Sequence, residues 1–296
     1  MLIKPMKACK VSDTELALLK YPLFAQPKYD GIRCIVQNGV ALSNTLKPIR
    51  NSYVQAAVAN WIPDGFDGEL IAGNNFQDTT SCIMSEGGDN QFTFFVFDIF
   101  NSNMVYSKRL KHLEDYFTYQ HPHPNIVLVQ AVRIRREDQL LSYEESMLEA
   151  GHEGIMLRSP DGLYKYGRST LREQALLKRK PFLDAEGTIL GFIEQEENQN
   201  DLTYDERGYA KRSAHGENKI GKNTLGAFIV ATKQWGHIRI GTGLGLTNEV
   251  RQEIWDNQDR YNGRCITFKY QQHGTKDLPR TPIFLRFRHE DDLVVL

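Results

Sequence analysis

The chain has 296 residues, of which 41% are hydrophobic and 25% charged, and its formal net charge is −1. This length allows one large domain or two smaller ones, and the composition is ordinary for a globular protein. No apolar run approaches a membrane span, and the N-terminal residues lack a signal-peptide pattern. The near-zero net charge gives no general argument for binding nucleic acid, but it does not exclude such binding.

Short apolar runs separated by turns fill the first part of the chain. The earliest, residues 32–37, lies between the turn dipeptides Asp30-Gly31 and Asn38-Gly39, which is the pattern of a β-hairpin. Further strands, rich in Val, Ile and Phe, are predicted at 65–73, 92–100, 125–132 and 154–159.

Two helices are predicted between these strands. Residues 51–62 space their apolar side chains helically after Asn51, a good N-cap residue. Residues 141–151 begin with a capping box of Ser142 and Glu145. Because successive strands are joined by turns as often as by helices, we expect an α+β domain built largely on antiparallel sheet.

The pattern changes near residue 184. A polar stretch from Glu194 to Asn223 has almost no periodicity, and strands then resume at 224–232 and 236–244, before a helix at 247–258. Short strands with one helix favour a small barrel, for which the five-stranded OB fold is a candidate. We therefore predict a first domain at 1–183 and an OB-fold domain at 184–296, with a polar insertion at about 198–223.

Charged residues stand at the ends of several predicted strands of the first domain. They are Lys28, Arg33, Glu69, Glu153, Lys178 and Lys180. Each one alone is more often a solvated residue beside a turn. Together they suit a nucleoside triphosphate, because cations neutralise phosphate, carboxylates hold a hydroxyl pair or Mg²⁺, and an aromatic such as Phe97 covers a base.

Lys28 is the candidate nucleophile. A lysine is a poor nucleophile at neutral pH because its ordinary pKa is about 10.4. Neighbouring cations or a desolvated pocket make it reactive, and Arg33, Lys178 and Lys180 would supply the cations. Covalent capture of a nucleotide on lysine is then chemically reasonable.

Six segments in order resemble the motifs of the covalent nucleotidyltransferases, which include ATP-dependent DNA ligases, RNA ligases and mRNA capping enzymes. "KYDGIR" (28–33) resembles motif I. The others are "DGEL" (67–70), "FFVFDIF" (94–100), "EGIMLR" (153–158), "LLKRKPF" (176–182) and "PRTPIFLRFRHED" (279–291), which resemble motifs III, IIIa, IV, V and VI. The details are most similar to the compact phage and viral DNA ligases.

This resemblance implies a role for each matching residue. Lys28 would attack the α-phosphorus of ATP and keep AMP as a phosphoramide. Gln26 would help to choose adenine, Arg33 would bind ribose or phosphate, Glu69 the ribose hydroxyls, and Phe97 would stack on adenine. Glu153, with Glu69, would bind Mg²⁺ or Mn²⁺. Lys178 and Lys180 would neutralise the α-phosphate. Arg286 and Arg288 would bind the departing pyrophosphate.

One position departs from the family pattern. Motif Ia usually reads S-R and supplies an arginine for the 5′-phosphate of the nick, but here Asn44 stands at that place. Arg50 is our candidate replacement. The polar insertion is locally basic, and we predict that it binds the DNA backbone through Arg207, Lys211, Arg212, Lys219 and Lys222.

The resemblance thus predicts a minimal ATP-dependent DNA ligase that seals nicks with a 5′-phosphate and a 3′-hydroxyl in duplex DNA, in replication or repair. The alternatives are an RNA ligase, a GTP-dependent capping guanylyltransferase, or a non-catalytic nucleic-acid clamp that kept the fold. Scattered cysteines without a C-x-x-C pair favour a reducing compartment. We expect a cytoplasmic monomer, in the host cytoplasm if phage-encoded, without a tail for a protein partner and with no membrane association.

Overall fold

A computed structural model of the chain describes residues 2–74, 76–86, 91–100, 102–120, 122–204, 210–213, 218–243, 246–271 and 278–288. The backbone divides into two compact units, of which the first runs to Lys180 and the second begins at Pro181. Within the described ranges, no helix is long and apolar enough to cross a membrane.

Two five-stranded sheets form the framework of the first unit. Its described strands are β1 (Cys9–Lys10), β2 (Leu23–Pro27), β3 (Ile32–Gln37), β4 (Val40–Ser43), β5 (Phe66–Ile71), β6 (Thr93–Ile99), β7 (Ile126–Leu128), β8 (Val132–Ile134), β9 (Ile155–Arg158) and β10 (Leu177–Arg179). One sheet has the order β4-β3-β5-β6-β7 and the other β1-β10-β9-β2-β8. Neighbours are antiparallel except β6 with β7 and β1 with β10, so the predicted α+β class is confirmed.

Four α-helices and a 3-10 turn at Asp13–Leu18 accompany these sheets in the part that the structure describes: α1 (Ser52–Trp61), α2 (Phe76–Met84), α3 (Tyr106–Gln120) and α4 (Glu137–Glu149). The helix predicted at 51–62 is confirmed, and the Asn51 side chain accepts from the backbone N–H groups of Tyr53 and Val54. The predicted start of α4 was wrong. The helix begins five residues before Ser142, where Glu137 and Asp138 complement the positive helix N-terminus.

Each sheet buries one face in its own apolar core, and the polar residues of the motifs lie on the other face. In β3, Cys34 and Val36 belong to a core with residues of α1, α2 and α3, whereas Arg33 lies on the opposite face. The strand register extends this face across the sheet, because Arg33 stands opposite Glu69 and Glu69 stands opposite Phe95. Strand alternation thus gathers the motif residues on one side of this sheet.

The other sheet repeats this arrangement. Leu157 and Leu177 lie in a separate apolar core, and the alternate positions carry the row Gln26, Met156 and Lys178, which are opposite one another on β2, β9 and β10. A further cluster joins the two sheets through their non-helical faces. It contains Met6, Ile35, Leu42, Phe100, Tyr164, Ala175 and Leu176.

A closed barrel forms the second unit, with the strand order β11-β14-β15-β17-β16. The strands and helices described there are β11 (Leu183–Asn198), β12 (Leu202–Tyr204), β13 (Ala210–Arg212), β14 (Lys219–Thr232), β15 (Gly236–Gly241), α5 (Asn248–Asp256), α6 (Gln258–Tyr261), β16 (Cys265–Gln271) and β17 (Arg280–Phe287). Its apolar core includes Ile189, Phe228, Ile240 and Phe268.

The polar stretch after Glu194 is not the irregular loop that its lack of periodicity suggested. β11 and β14 continue as a paired arm, in which Asn198 stands opposite Lys219, and β12 pairs with β13 beyond it. Backbone pairing holds this arm. Both faces of an extended ribbon meet solvent, so no alternation of apolar residues is needed to form it.

Candidate active site

Lys28 lies immediately after β2, where the backbone of β9 secures it. Its N–H donates to the Gly154 carbonyl at 2.9 Å, and the Glu153 N–H donates to the Lys28 carbonyl at 3.3 Å. The Lys28 Nζ is 2.5 Å from Glu153 Oε2 and also donates to its neighbour's carbonyl, Tyr29 O, at 3.1 Å. The side chain keeps 20% of its surface exposed, so an incoming reactant has access to it.

Glu153 joins two lysines. Its second oxygen, Oε1, lies 2.5 Å from the Lys180 Nζ, and the carboxylate is only 5% exposed. Burial opposes ionisation of this group, but the ammonium groups of Lys28 and Lys180 outweigh it and hold the Glu153 pKa at about 2. The carboxylate is therefore ionised across the physiological range.

A glycine allows these groups to approach one another. Gly154 has φ +142°, and a Cβ at this position would lie 2.2 Å from the Arg179 carbonyl oxygen. Only a residue without a side chain permits β9 and β10 to come so close. This contact sets the distance between Glu153, which precedes β9, and Lys180, which follows β10.

Arg33 is fixed by Asp67. Its Nε and Nη2 donate to Oδ1 and Oδ2 of that carboxylate at 2.5 and 2.6 Å, and Asp67 is fully buried. Glu69, opposite Arg33 in register, has its pKa raised to about 7 because burial outweighs the opposing effect of Lys28 and Arg33. Near neutral pH this carboxyl is poised to change charge.

Phe97 lies on the same face of β6 as Phe95, two residues away. The Arg33 guanidinium carbon is 4.7 Å from the centroid of its ring, and the Arg158 guanidinium carbon is 5.6 Å from it. Phe95 in turn stacks on Tyr29, with 4.3 Å between ring centroids. Aromatic surface thus extends from Phe97 to the residue next to Lys28.

Gln26 and Lys178 flank Met156 on the facing sheet. Gln26 is 2% exposed, and its Nε2 donates to the Val129 carbonyl at 3.0 Å. The amide oxygen of Gln26 has no protein donor among the described residues, so it remains an acceptor. Burial lowers the pKa of Lys178, with further lowering by Lys28 and Arg168.

The other predicted residues belong to other elements of the chain. Arg50 is exposed just before α1, and Asn44 follows β4. Arg286 is exposed on β17, and Arg288 follows it with Nε 2.9 Å from Glu186 Oε1. Both arginines belong to the second unit.

The predicted DNA-binding cations belong to the arm. The Lys219 Nζ is 3.6 Å from Glu196 Oε2, and the Lys222 Nζ is 3.5 Å from Glu197 Oε2. Arg212 is exposed and donates to the Asn200 carbonyl. The backbone of Lys211 is part of β13. Arg207 lies outside the described residues.

Three residues that sequence reasoning left unassigned take part in this geometry: Asp67, Met156 and Tyr164. Asp67 appeared only as the first residue of the "DGEL" segment, but its spacing two residues before Glu69 places both on one strand face and was a usable signal. Tyr164 donates its hydroxyl to Asp67 Oδ2 at 2.6 Å from more than ninety positions away, which no local pattern indicates. Met156 resembles any core residue of a strand.

A lysine in ionic contact with a glutamate, near further cations and a buried amide acceptor, is suited to taking a nucleotide from a triphosphate. Comparison with known proteins identifies the family. Residues 5–180 match the model of the ATP dependent DNA ligase domain, and residues 215–288 match that of the DNA ligase OB-like domain. The chain belongs to the ATP-dependent DNA ligase family.

Individual relatives agree with this assignment. A solved structure of Chlorella virus DNA ligase-adenylate is 34% identical, covers 99% of this chain and 100% of its own, and superposes with a TM-score of 0.58. A DNA ligase of Haemophilus influenzae is 22% identical, over 77% of this chain and 74% of that protein. A DNA ligase of African swine fever virus is 26% identical over 52% of this chain, which spans only 37% of that longer protein.

Proposed function

We propose that this protein is an ATP-dependent DNA ligase that seals nicks through a covalent lysyl-AMP. The observation that carries this proposal is the Lys28–Glu153–Lys180 cluster, with both ammonium groups 2.5 Å from one carboxylate, in a chain of the ligase family. This contact supports the proposal because it holds the candidate nucleophile, an ionised carboxylate and a second cation together.

Adenine suits the pocket beside Gln26. Because the Gln26 Nε2 is committed to the Val129 carbonyl, the side chain offers its oxygen to a base. An acceptor fits the 6-amino group of adenine and repels the 6-oxo group of guanine. Phe97 on one sheet and Met156 on the other would cover the two faces of the purine, and the partly exposed Glu69 would accept from the ribose hydroxyls.

The chemistry assigned to Lys28 begins when its ammonium group loses a proton to solvent. The amine attacks the α-phosphorus, a P–N bond forms, and the bond to the bridging oxygen of pyrophosphate breaks. Lys178 and Lys180 neutralise the α-phosphate oxygens as charge develops. Arg286 and Arg288 of the barrel are the candidates for binding the departing pyrophosphate.

A divalent cation fits the acidic groups of this site. The described residues contain no set of three His, Cys, Asp or Glu side chains that would hold a metal alone, but Mg²⁺ in phosphate chemistry takes one or two carboxylates with phosphate oxygens and water. Glu153, with Glu69, would hold Mg²⁺ or Mn²⁺ in this way. When bound, the ion supplies positive charge to the phosphates.

Nicked duplex DNA is the proposed second substrate. A 5′-phosphate oxygen attacks the phosphorus of lysyl-AMP, which gives DNA-adenylate and frees Lys28. The 3′-hydroxyl then attacks the 5′-phosphorus, and AMP leaves with the bonding electrons. The arm and Arg50 are proposed to contact the DNA backbone.

Covalent labelling tests the proposal. Wild-type protein, Lys28→Ala and the exposed-lysine control Lys20→Ala are incubated with Mg²⁺ and α-labelled ATP or GTP, then run on denaturing gels. We expect label from ATP alone, lost only in Lys28→Ala, and subsequent sealing of nicked DNA. Label from GTP would indicate capping chemistry, preferential sealing of RNA would indicate an RNA ligase, and no label in folded wild-type protein would refute a covalent nucleotidyltransferase.

A further inference from the structure

Two buried aspartates meet beneath the Phe97 ring. Asp67 on β5 and Asp98 on β6 occupy facing register positions, and both are fully buried. Like charges placed opposite each other in a sheet are destabilising unless they are compensated. Compensation comes from three arginines, so the arrangement carries more positive than negative charge.

Asp98 holds two of these arginines. The Arg109 Nε and Nη2 donate to Oδ1 and Oδ2 of Asp98 at 2.6 and 3.1 Å, and Arg158 Nη1 donates to Oδ2 at 2.5 Å. Arg109 and Arg158 come from α3 and β9. One carboxylate therefore ties both sheets and a helix together.

Asp67 holds the third arginine, Arg33, and is itself held by Tyr164. The Tyr164 hydroxyl donates to Asp67 Oδ2 at 2.6 Å and accepts from the Met6 N–H at 3.0 Å. Burial raises the pKa of this hydroxyl well above its ordinary value, so it remains a donor. The ring of Tyr164 also lies 5.7 Å from the Arg109 guanidinium carbon, which links the two halves of the network.

Stability alone gives a weak reason for such a network. Buried ion pairs are often matched or exceeded in stability by apolar residues of similar volume. In the part of the chain that the structure describes, the Nε of buried Arg158 and the hydroxyl of Tyr106 have no hydrogen-bond partner. The network does, however, fix the two guanidinium groups that contact Phe97. Groups that must meet a ligand gain from being held by a rigid surrounding shell.

We propose that Tyr164 is a positioning residue for nucleotide binding, which acts through Asp67 on Arg33 and through Arg33 on the Phe97 ring. This inference rests on the proposed function, since it assigns Arg33 and Phe97 to the ATP pocket. Loss of the hydroxyl would leave Asp67 with one fewer donor and allow the Arg33 guanidinium to shift.

The test compares Tyr164→Phe with Tyr106→Phe. Both remove one hydroxyl from a buried ring, but the Tyr106 hydroxyl has no hydrogen-bond partner among the described residues, which makes it a matched control. The ATP dependence of Lys28 labelling is measured well below the unfolding temperature of each variant. We expect the KM for ATP to rise about tenfold in Tyr164→Phe, typical of one hydrogen bond to a charged group, with kcat changed less than twofold and Tyr106→Phe like wild type.

A double-mutant cycle separates positioning from general stability. If Tyr164 acts through Arg33, adding Tyr164→Phe to Arg33→Lys will raise the KM no further. An unchanged KM in Tyr164→Phe, or fully additive effects with Arg33→Lys, would overturn the inference while wild-type labelling keeps the proposed function intact. Absence of labelling in wild-type protein would overturn both.

Discussion

Lys28 and Glu153 are joined twice, by their side chains and by their backbones. The ammonium and carboxylate groups lie 2.5 Å apart, and the Glu153 N–H donates to the Lys28 carbonyl just beyond the paired residues of β2 and β9. The strand pairing that builds the sheet therefore also sets the position of the proposed nucleophile. Displacement of either strand would move both groups.

Glu153→Gln should abolish most labelling. The amide keeps the shape of the side chain but removes the charge shared by Lys28 and Lys180, and it also removes the proposed metal ligand. We expect the rate of ATP labelling to fall about 100-fold, comparable with the loss of one electrostatic group at other active sites, and the free energy of unfolding to fall by about 2 kcal/mol.

Glu144→Gln is the matched control for that experiment. Glu144 is also buried, and it accepts from Arg179 at 2.7 Å on the other face of β10. Its replacement should lower the unfolding temperature. At temperatures where the variant is still folded, its labelling by ATP should be unchanged. Wild-type labelling by Glu153→Gln would refute the role given to that carboxylate.

ATP binding should depend on pH through Glu69. Its pKa is raised to about 7 from an ordinary 4.5, mainly by burial, so the carboxylate that accepts from ribose forms only as the pH passes that value. The KM for ATP should fall as the pH rises from about 6 to about 8, and in Glu69→Gln it should stay flat. Equal pH profiles for the two proteins would contradict this prediction.

The raised pKa of Glu69 also makes the stability of the protein depend on pH. Between pH 4.5 and about 7 the folded protein holds the Glu69 proton more tightly than the unfolded chain, so the free energy of unfolding should decrease as the pH rises through this window. Denaturant unfolding at several pH values measures the slope. Glu69→Gln should remove this part of it.

Asn44→Arg should strengthen binding to a nick. Asn44 directly follows Ser43, the last residue of β4 and the partner of Cys34 in the β3–β4 pairing, and it stands where the family pattern has an arginine. An arginine there would meet a 5′-phosphate, and we expect about tenfold tighter binding of nicked duplex, or 1.4 kcal/mol, with unchanged labelling.

Asn44→Gln controls for side-chain length without charge, and equal affinities of the two variants would contradict that prediction. Arg50→Ala tests the proposed replacement directly. If Arg50 contacts the nick, its loss should slow sealing while ATP labelling continues. Normal sealing by Arg50→Ala would remove Arg50 from the proposed DNA-binding residues.

Charge in the arm should control the salt dependence of DNA binding. Because Lys219 and Lys222 lie near Glu196 and Glu197, part of their charge is already neutralised. The double change Glu196→Gln with Glu197→Gln should tighten binding and steepen its dependence on salt, and Lys219→Gln with Lys222→Gln should flatten the slope by up to about 2.

Deletion of residues 199–218 removes β12 and β13 and leaves the paired ends of β11 and β14 in place. Nick binding should weaken and its salt slope flatten, while labelling of Lys28 by ATP continues. A fluorescent nicked duplex titrated at several salt concentrations measures the binding. Equal slopes with and without residues 199–218 would remove this segment from the proposed DNA interface.

Local signals in the sequence located some helix starts, although the Ser142 and Glu145 capping box misplaced the start of α4. Asn51 is a strong N-cap and predicted the start of α1, and Thr247 plays the same part in α5. α3 was missed although Tyr106, Leu110 and Leu113 form a helical stripe, because its many charged residues lowered the apolar content of the segment. The arm was missed because pairing of two solvated strands leaves no apolar alternation to find.

The residues of the site also divide into those with a local signal in the sequence and those without one. Four site residues could be selected from the sequence because they are charged and lie beside predicted turns: Lys28, Glu69, Glu153 and Lys180. The ordered motifs then related them to one another. Tyr164 joins Asp67 only through tertiary packing, across 97 positions of the chain. Distance along the chain, rather than weak chemistry, concealed this contact.

Gly154, which has no side chain, controls the spacing of the charged groups of Lys28, Glu153 and Lys180. A methyl group at position 154 would overlap the Arg179 carbonyl oxygen, so β9 and β10 would have to separate and carry Glu153 away from Lys180. In a library of all single substitutions selected for ligation, position 154 should therefore be as intolerant as the nucleophile itself. Selection would then preserve the absence of a side chain at position 154 as strictly as the reactive side chain of Lys28.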